Sequence, residues 1–566
     1  MKPRPSVPAL AALCALAAPS AAQITYTRVI APGDAAPGSP TGTFYGPQNP
    51  HCLAPGRVAL FAFLTNTPNS PLDNRGVWQG TGAGVSLLAL ADQALPTTGG
   101  RKFYPATQTY PVQNRAGASA FLGTLEFRTG TDEGAVFYSA GGPAQVAVQQ
   151  GDAAPGIPGG TFGVITTYTD LSFGEADRLA FVAPINNVPA GTNRALYTGN
   201  ASTRAFTMVA RTGDTAPLPG APSFASITTP SINGPGDVAF FSNLLGGSQA
   251  AALFLKPVAG ALQSVLALGD PAPGFPAGWT ISLLYGQNSG PALLNDNRVF
   301  AINAAVQGPS GASAKALWRG AAGALTLVAR SNDPAPGHPN TAARFDLFNP
   351  LVNRSGAVFF YATLTNAPAQ NSGFWIAPPG QAPRLLALLP QQAPDMAPGV
   401  QFNSISNGGI SFNNRGEGLF NASLNYAVSS TPANGIFAGR PGRLRKVVAS
   451  GDLLEIAPGV TRTVVSVYCW TGAGPDMGRP TSINDRGEVA FSCSFVGGGS
   501  GTYIALLPNP CPGDVTGDDT VDFLDLNLVL SQYGMTGPGL AGDINGDGVV
   551  DFLDLNALLS AFGAAC

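Results

Sequence analysis

The chain has 566 residues, of which 11% are charged, and a formal net charge of -3 at pH 7. So sparse and balanced a charge offers no phosphate-neutralising surface and excludes nucleic acid as a main partner. With 72 Gly and 51 Pro beside 45% hydrophobic residues, the composition suits many short strands joined by turns and excludes wholesale disorder.

The chain opens with Lys2 and Arg4, an apolar run over 7–18 too short to span a bilayer, and Ser20-Ala21-Ala22 before Gln23. That order is the pattern of an export signal over 1–22, so the mature chain is expected to be secreted, free or attached at the cell surface.

One phrase then recurs. Its clearest copy, residues 209–217, is a short apolar strand ending in Gly213-Asp214 and a proline-bearing turn. It returns at Asp34, Asp92, Asp152, Asp270, Asp333 and Asp452, with Gln391 in the aspartate's place in the seventh copy. The intervals are 58, 60, 62, 56, 63, 58 and 61 residues, a steady internal repeat over 23–507.

Each copy reads as four strands. In the fourth copy an apolar segment over 224–232 leads to a turn at 233–236, and a second strand over 237–244 puts Val238, Phe240 and Leu244 on one face. A third strand is short and aromatic, as at 316–320, and the fourth is the apolar run back into Gly-Asp. Asn before Gly at 353–356, 414–416 and 484–487 predicts left-handed backbone at the Asn, and the Pro-Gly pairs at 155–156, 273–274 and 336–337 predict type II turns.

Four-stranded meanders in eight copies predict a mainly β chain folded as an eight-bladed β-propeller. A repeat of about 60 residues is too long for one coil of a parallel β-helix. The array starts at 24–34 with what would be a fourth strand and ends at 502–507 with a third. The N-terminal strand is therefore expected to complete the last blade, closing the ring and removing its free edges. The second and seventh copies are the most degenerate. Over 24–507 the repeats resemble secreted tandem-repeat proteins that carry Asn-x-x-Gly-x-Val-Ala-Phe and Gly-Asp-x-Ala-Pro-Gly phrases, a resemblance that implies architecture and no defined reaction.

Catalytic material is thin. Only His51 and His338 exist, in different copies, which leaves little for a nucleophilic triad or a histidine-rich metal site, and His338 after a turn glycine reads as exposed. A glycosidase would need only two carboxylates. The repeated Asp34, Asp152, Asp214, Asp270, Asp333 and Asp452 read as turn-capping groups, and no catalytic residue is assigned. Trp78, Trp318 and Trp375 share one position in their copies and read as core aromatics, whereas Trp279 and Trp470 stand elsewhere.

The tail, 508–566, differs in kind. Oxygen ligands fall at Asp514, Thr516, Asp518, the Thr520 carbonyl, Asp522 and Asp525, and again at Asp543, Asn545, Asp547, the Val549 carbonyl, Asp551 and Asp554. Short oxygen side chains alternating along a tight loop supply the hard ligands that Ca²⁺ requires. Each loop runs into an apolar-periodic segment that predicts a short helix, stopped by Gly534 and Gly563. This pair of loops and helices resembles a type I dockerin, and the resemblance implies Ca²⁺ as cofactor and an extracellular cohesin-like partner. Thr516 and Asp519 depart from the pattern and predict a weaker first site. Phe523-Leu524 and Phe552-Leu553, where dockerins carry recognition residues, read either as an apolar partner patch or as packing for the module, with packing favoured.

Cys511 and Cys566 bracket this tail and would form a clasp, while Cys469 and Cys493 could pair, leaving Cys52. Three functional readings follow: a non-catalytic binding or scaffold protein held by a calcium-dependent tail, a polysaccharide-active enzyme, and a structural component of the cell surface.

Overall fold

The computed structural model describes residues 23–105, 109–126, 133–165, 171–286, 291–367, 371–469, 472–474, 476–509, 511–516, 520–537, 540–545 and 547–563. The expected export signal, Trp470, Asp518, Asp519 and Cys566 lie outside the described residues.

The recurring phrase is the first half of a small hairpin. In the fourth copy the N–H of Gly213 donates to the Phe224 carbonyl, and the Asp214 carbonyl accepts the Phe224 N–H. Gly213 has φ +85°, a conformation that costs glycine nothing. The aspartate side chain then turns back: the Asp34, Asp270 and Asp452 carboxylates accept the N–H three residues earlier, each at 2.8 Å. Asp152 and Asp333 repeat the bond, and Gln391 makes it with its amide oxygen at 2.9 Å. Asp214 is held instead by Arg211 at 2.9 Å. The turn-capping reading holds.

Asp92 is a correction. Its N–H donates to the Phe103 carbonyl and its φ is +63°, so it occupies the glycine's place, with Gln93 in the aspartate's. The type II turns stand as expected, with φ +81° at Gly156 and the Ile157 N–H closing on the Ala154 carbonyl.

From these hairpins the chain builds eight antiparallel sheets, one per copy. The first blade is Thr43–His51, Val58–Thr65, Arg75–Thr81 and Gly84–Leu90 in that order. In the last, Val460–Tyr468, Glu488–Phe495 and Ser500–Leu506 are followed by Thr25–Ile30, antiparallel with Thr25 opposite Leu506. The N-terminal strand closes the ring, as expected from the offset ends. The second and seventh copies are full blades.

Because successive strand residues point to opposite faces, each blade feeds two cores. Val238, Phe240 and Leu244 pack with Ala180 and Val182 of the third blade, while Ala239 and Phe241 join Phe300 and Ile302 of the fifth. Burial on both faces is why the strands read as nearly continuous apolar runs. At the closure, Val29 and Ile30 join Leu60, Ala490 and Ile504.

In four blades the third-strand aromatic ties the blade to the hairpin that precedes it. The indole N–H of Trp78 donates to the Pro37 carbonyl at 3.1 Å, Trp318 to Pro273 at 2.8 Å and Trp375 to Pro336 at 2.8 Å, and the Tyr197 hydroxyl donates to Pro155 at 3.2 Å. All four rings are fully buried.

In an up-and-down blade, the turns between first and second strands share one face of the ring with the turns between third and fourth. The Gly-Asp hairpins and the hairpins between second and third strands occupy the opposite face. The tail adds two helices, α1 (Phe523–Gln532) and α2 (Phe552–Ser560). No helix among the described residues is long and apolar enough to cross a membrane.

Candidate functional site: the ring axis and the C-terminal loops

The Asn turns line the axis, and their asparagines work differently from the sequence expectation. Gly236, φ +99°, carries the left-handed backbone, while the Asn233 side-chain oxygen accepts the Gly236 and Asp237 N–H groups at 3.0 and 2.7 Å. The freed amide N–H reaches the next blade. Asn233 donates to the Asn295 carbonyl, Asn295 to Asn353, Asn353 to Asn413 and Asn413 to Asn484, at 3.0, 2.6, 3.2 and 3.0 Å.

The residue after each Asn meets its counterparts across the axis. Arg115 of the second blade and Arg354 of the sixth come from opposite sides of the ring and share Asp476. Arg354 Nη2 lies 3.1 Å from Asp476 Oδ1, Arg115 Nη2 donates to the same oxygen, and Asn414 Nδ2 donates to it at 3.1 Å. Asp296 lies 3.0 Å from Arg354 and 3.5 Å from Arg115, with Glu175 and Asp485 at 3.4 and 3.6 Å from Arg115.

Asp476 arrives on an insertion of the last blade. The Gly472 N–H donates to Ile410 of the seventh blade, Ser172 and Phe173 of the third blade donate to the Gly478 carbonyl, and the Cys52 N–H of the first donates to Thr481. Blades three and seven are opposite, so this segment crosses the axis. Met477 and Ala473 on it are buried.

Burial alone would discharge Asp476, but Arg354 and Arg115 outweigh it and hold its carboxyl below the usual range. Asp296 goes the other way. Burial first, and repulsion from Asp476 second, push it from 3.8 to about 6 against the pull of the two arginines. Four carboxyls around two guanidiniums leave one acid poorly compensated. A raised acid stabilises the fold fully below its unfolded value and loses that contribution as pH rises through about 6. Asp476, being depressed, has the opposite sign, with its contribution lost as pH falls below 3.8. Stability is therefore expected to rise on acidification from about pH 7 to 5 and to fall again below about pH 4. Asp296→Asn should flatten the rise. Thermal unfolding across this range checks it, and a rise unchanged in the variant refutes the assignment.

The remaining candidate residues scatter. His51 is buried and pushed down to about 3 by that burial, and His338 is buried as well, with its Nδ1 accepting the Asn340 N–H at 3.0 Å, so it is not exposed as expected. Cys52, Cys469 and Cys493 are free and buried, and the Cys469–Cys493 pairing is corrected: Cys469 Sγ donates to Asn421 Oδ1, while Cys493 stands opposite Val467.

In the tail, each loop closes on its helix through a capping box. Asp522 and Asp551 accept the Leu524 and Leu553 N–H groups at 2.7 Å, and Asp525 and Asp554 return to the cap N–H groups at 2.9 Å. The halves are cross-tied: the Gly534 N–H after α1 donates to Val550, and the Gly563 N–H after α2 donates to Val521. In the second loop Asp543 accepts the Asp547 and Gly548 N–H groups, and Asp554 accepts those of Ile544 and Asn545. In the first loop Asp525 accepts the Thr516 N–H, and Asp514 is ion-paired with Arg440 of the seventh blade. Thr520 and Val549 stand at the position whose carbonyl was expected to ligate. Among the described residues no three acidic, histidine or cysteine side chains converge as a formed metal cage.

The Phe-Leu pairs stay largely exposed, with Phe523 meeting the Phe562 ring edge-on at 5.1 Å. Phe523, Leu524, Phe552 and Leu553 are 69, 60, 64 and 58% exposed, because Val521, Val529, Val550 and Leu558 already fill the small core between the helices. Between tail and ring lies a cavity of about 290 Å³ bordered by Arg354, Arg486, Asp485, Asp514 and Asp543. It places the tail on the Asn-turn face.

No curated protein matches the chain. Among solved structures, the β-propeller domain of the Trilobed protease from Pyrococcus furiosus is similar at 8% identity and TM-score 0.35, covering 70% of this chain and 95% of that one. A protein of unknown function from Dyadobacter fermentans has 10% identity and TM-score 0.26, covering 62% and 99%. A Trypanosoma rangeli sialidase has 8% identity and TM-score 0.25, covering 81% and 61%. Matches at residues 18–287, 223–389 and 384–512 run across the whole repeat array, and the chain belongs to the family described as Family of unknown function (DUF7453).

Proposed function

We propose that the chain is an exported, non-catalytic binding or scaffold protein whose propeller, 23–507, is tethered to an extracellular cohesin-like partner by a dockerin-like calcium module, 508–566. The observation that carries this reading is the duplicated loop and helix: two capping boxes at matching positions, with a mutual tie between each loop and the other half. In the second loop, Asp543, Asn545, Asp547, the Val549 carbonyl, Asp551 and Asp554 would hold Ca²⁺, and Gly548 at φ +86° suits the tight turn. Held by these oxygens, the ion would tie the second loop to the start of α2. In the first loop Arg440 already supplies a cation to Asp514, which supports a weaker site. The exposed Phe-Leu pairs on the two helix starts offer the partner a duplicated apolar surface.

Calorimetric titration of the full chain is expected to find one tight Ca²⁺ site, lost in Asp543→Ala and kept in Asp514→Ala. A pull-down from the producing cell's secreted fraction should retain a partner with Ca²⁺ and release it with chelator. A full chain that binds no Ca²⁺, or a partner held equally well in chelator, defeats the reading.

A further inference from the structure

On the face of the Gly-Asp hairpins, opposite the tail, a cavity of about 750 Å³ opens where the first and last blades meet. Ligand pockets of roughly 300–1,000 Å³ take small molecules or short polymer segments. Its lining includes Tyr45, Phe63, Asn66, Asn74, Ser494 and Ser500, and none of its lining residues is charged. The cavity under the tail, by contrast, is bordered by arginines and aspartates.

Tyr45 sits at a β-bulge, between Phe44 opposite Leu64 and Gly46 opposite Phe63, so no residue across the strand faces it. The first strands of the fifth, seventh and eighth blades shift register at the same place, where they carry Ser282, Asn403 and Val465. The bulge is thus part of the repeat, and the aromatic is particular to the closure. Tyr45 is 61% exposed. Phe63 is half-buried, with its ring against Phe61 at 5.1 Å. Asn66 Nδ2 donates to Thr43 Oγ1 at 3.4 Å, and Ser494 Oγ lies 2.7 Å from Ser466 Oγ, so both polar walls are anchored.

An exposed aromatic flanked by amides and hydroxyls, without charge, matches a ligand that has apolar C–H faces and many hydroxyls. We propose that this groove binds a segment of neutral polysaccharide, with a sugar ring stacked on Tyr45 and its hydroxyls bonded to Asn66, Asn74 and Ser500. The tail lies on the other face and leaves the groove open. The site belongs to the propeller and does not depend on metal binding by the tail.

Affinity electrophoresis of the full chain through gels containing dextran, galactomannan or mixed-linkage glucan, with alginate as the acidic comparison, tests it. Retardation is expected in at least one neutral gel, unchanged by chelator and by Tyr468→Ala, which alters an exposed tyrosine outside the groove. Tyr45→Ala should weaken it by about tenfold in affinity with an unchanged melting temperature. No retardation in any neutral gel, retardation in alginate alone, or equal retardation of Tyr45→Ala overturns the proposal.

Discussion

Asp476→Ala is expected to destabilise the protein by about 3–5 kcal/mol, measured as the shift in urea unfolding. The magnitude follows from what is left behind. Arg115 is 6% exposed, and removing the acid it shares with Arg354 strands two guanidiniums near the axis, where water replaces little of the lost field. Asp296, Glu175 and Asp485 compensate partly from 3.4–3.6 Å around Arg115. A variant carrying Arg115→Met, Arg354→Met and Asp476→Leu together should recover most of the loss, because it removes the desolvated charges as a set. If Asp476→Ala stays within about 1 kcal/mol of the parent, the cluster is not organising the axis.

Trp375→Ala should cost about 3–5 kcal/mol, and Trp375→Phe about 1 kcal/mol. The first deletes a fully buried third-strand indole that packs edge-on to Phe345 at 5.0 Å and against Phe360 at 6.1 Å, leaving a void beside those two rings. The second keeps most of the ring and loses the 2.8 Å bond to the Pro336 carbonyl. Equal losses for the two variants would mean that the bond, and not the packing, dominates.

Period made the fold legible. Strand count and turn chemistry were visible because they recur from copy to copy, the repeated aspartates were recognisable as caps for the same reason, and the offset ends showed once the period was known. Asp92 was misplaced because residue identity was aligned where backbone conformation decides: an aspartate can hold the left-handed position as well as the capping one. The asparagines were read for their own φ, yet their side chains span the gap between blades, which no single copy reveals. The axial cluster joins residues hundreds of positions apart, such as Arg115 and Asp476. It left one trace, the 71-residue interval between Asn413 and Asn484 against 58–62 between the preceding ones. In the tail, loop spacing was informative, whereas burial of Phe523 and Phe552 was overestimated because a two-helix unit has too small an interior to take every apolar residue.

The segment that crosses the axis fixes how many copies the ring contains. Contacts between neighbouring blades are nearly alike all the way round, so by themselves they specify adjacency and leave the total open. A strut of fixed length, bonded to Ile410 at one side and to Ser172 and Phe173 at the other, matches one diameter. Arg115 and Arg354 reach Asp476 from opposite blades only at that same diameter. Gain or loss of a whole copy, the easiest change for a tandem array to undergo, would preserve every adjacent pair and still leave the strut too short or too long.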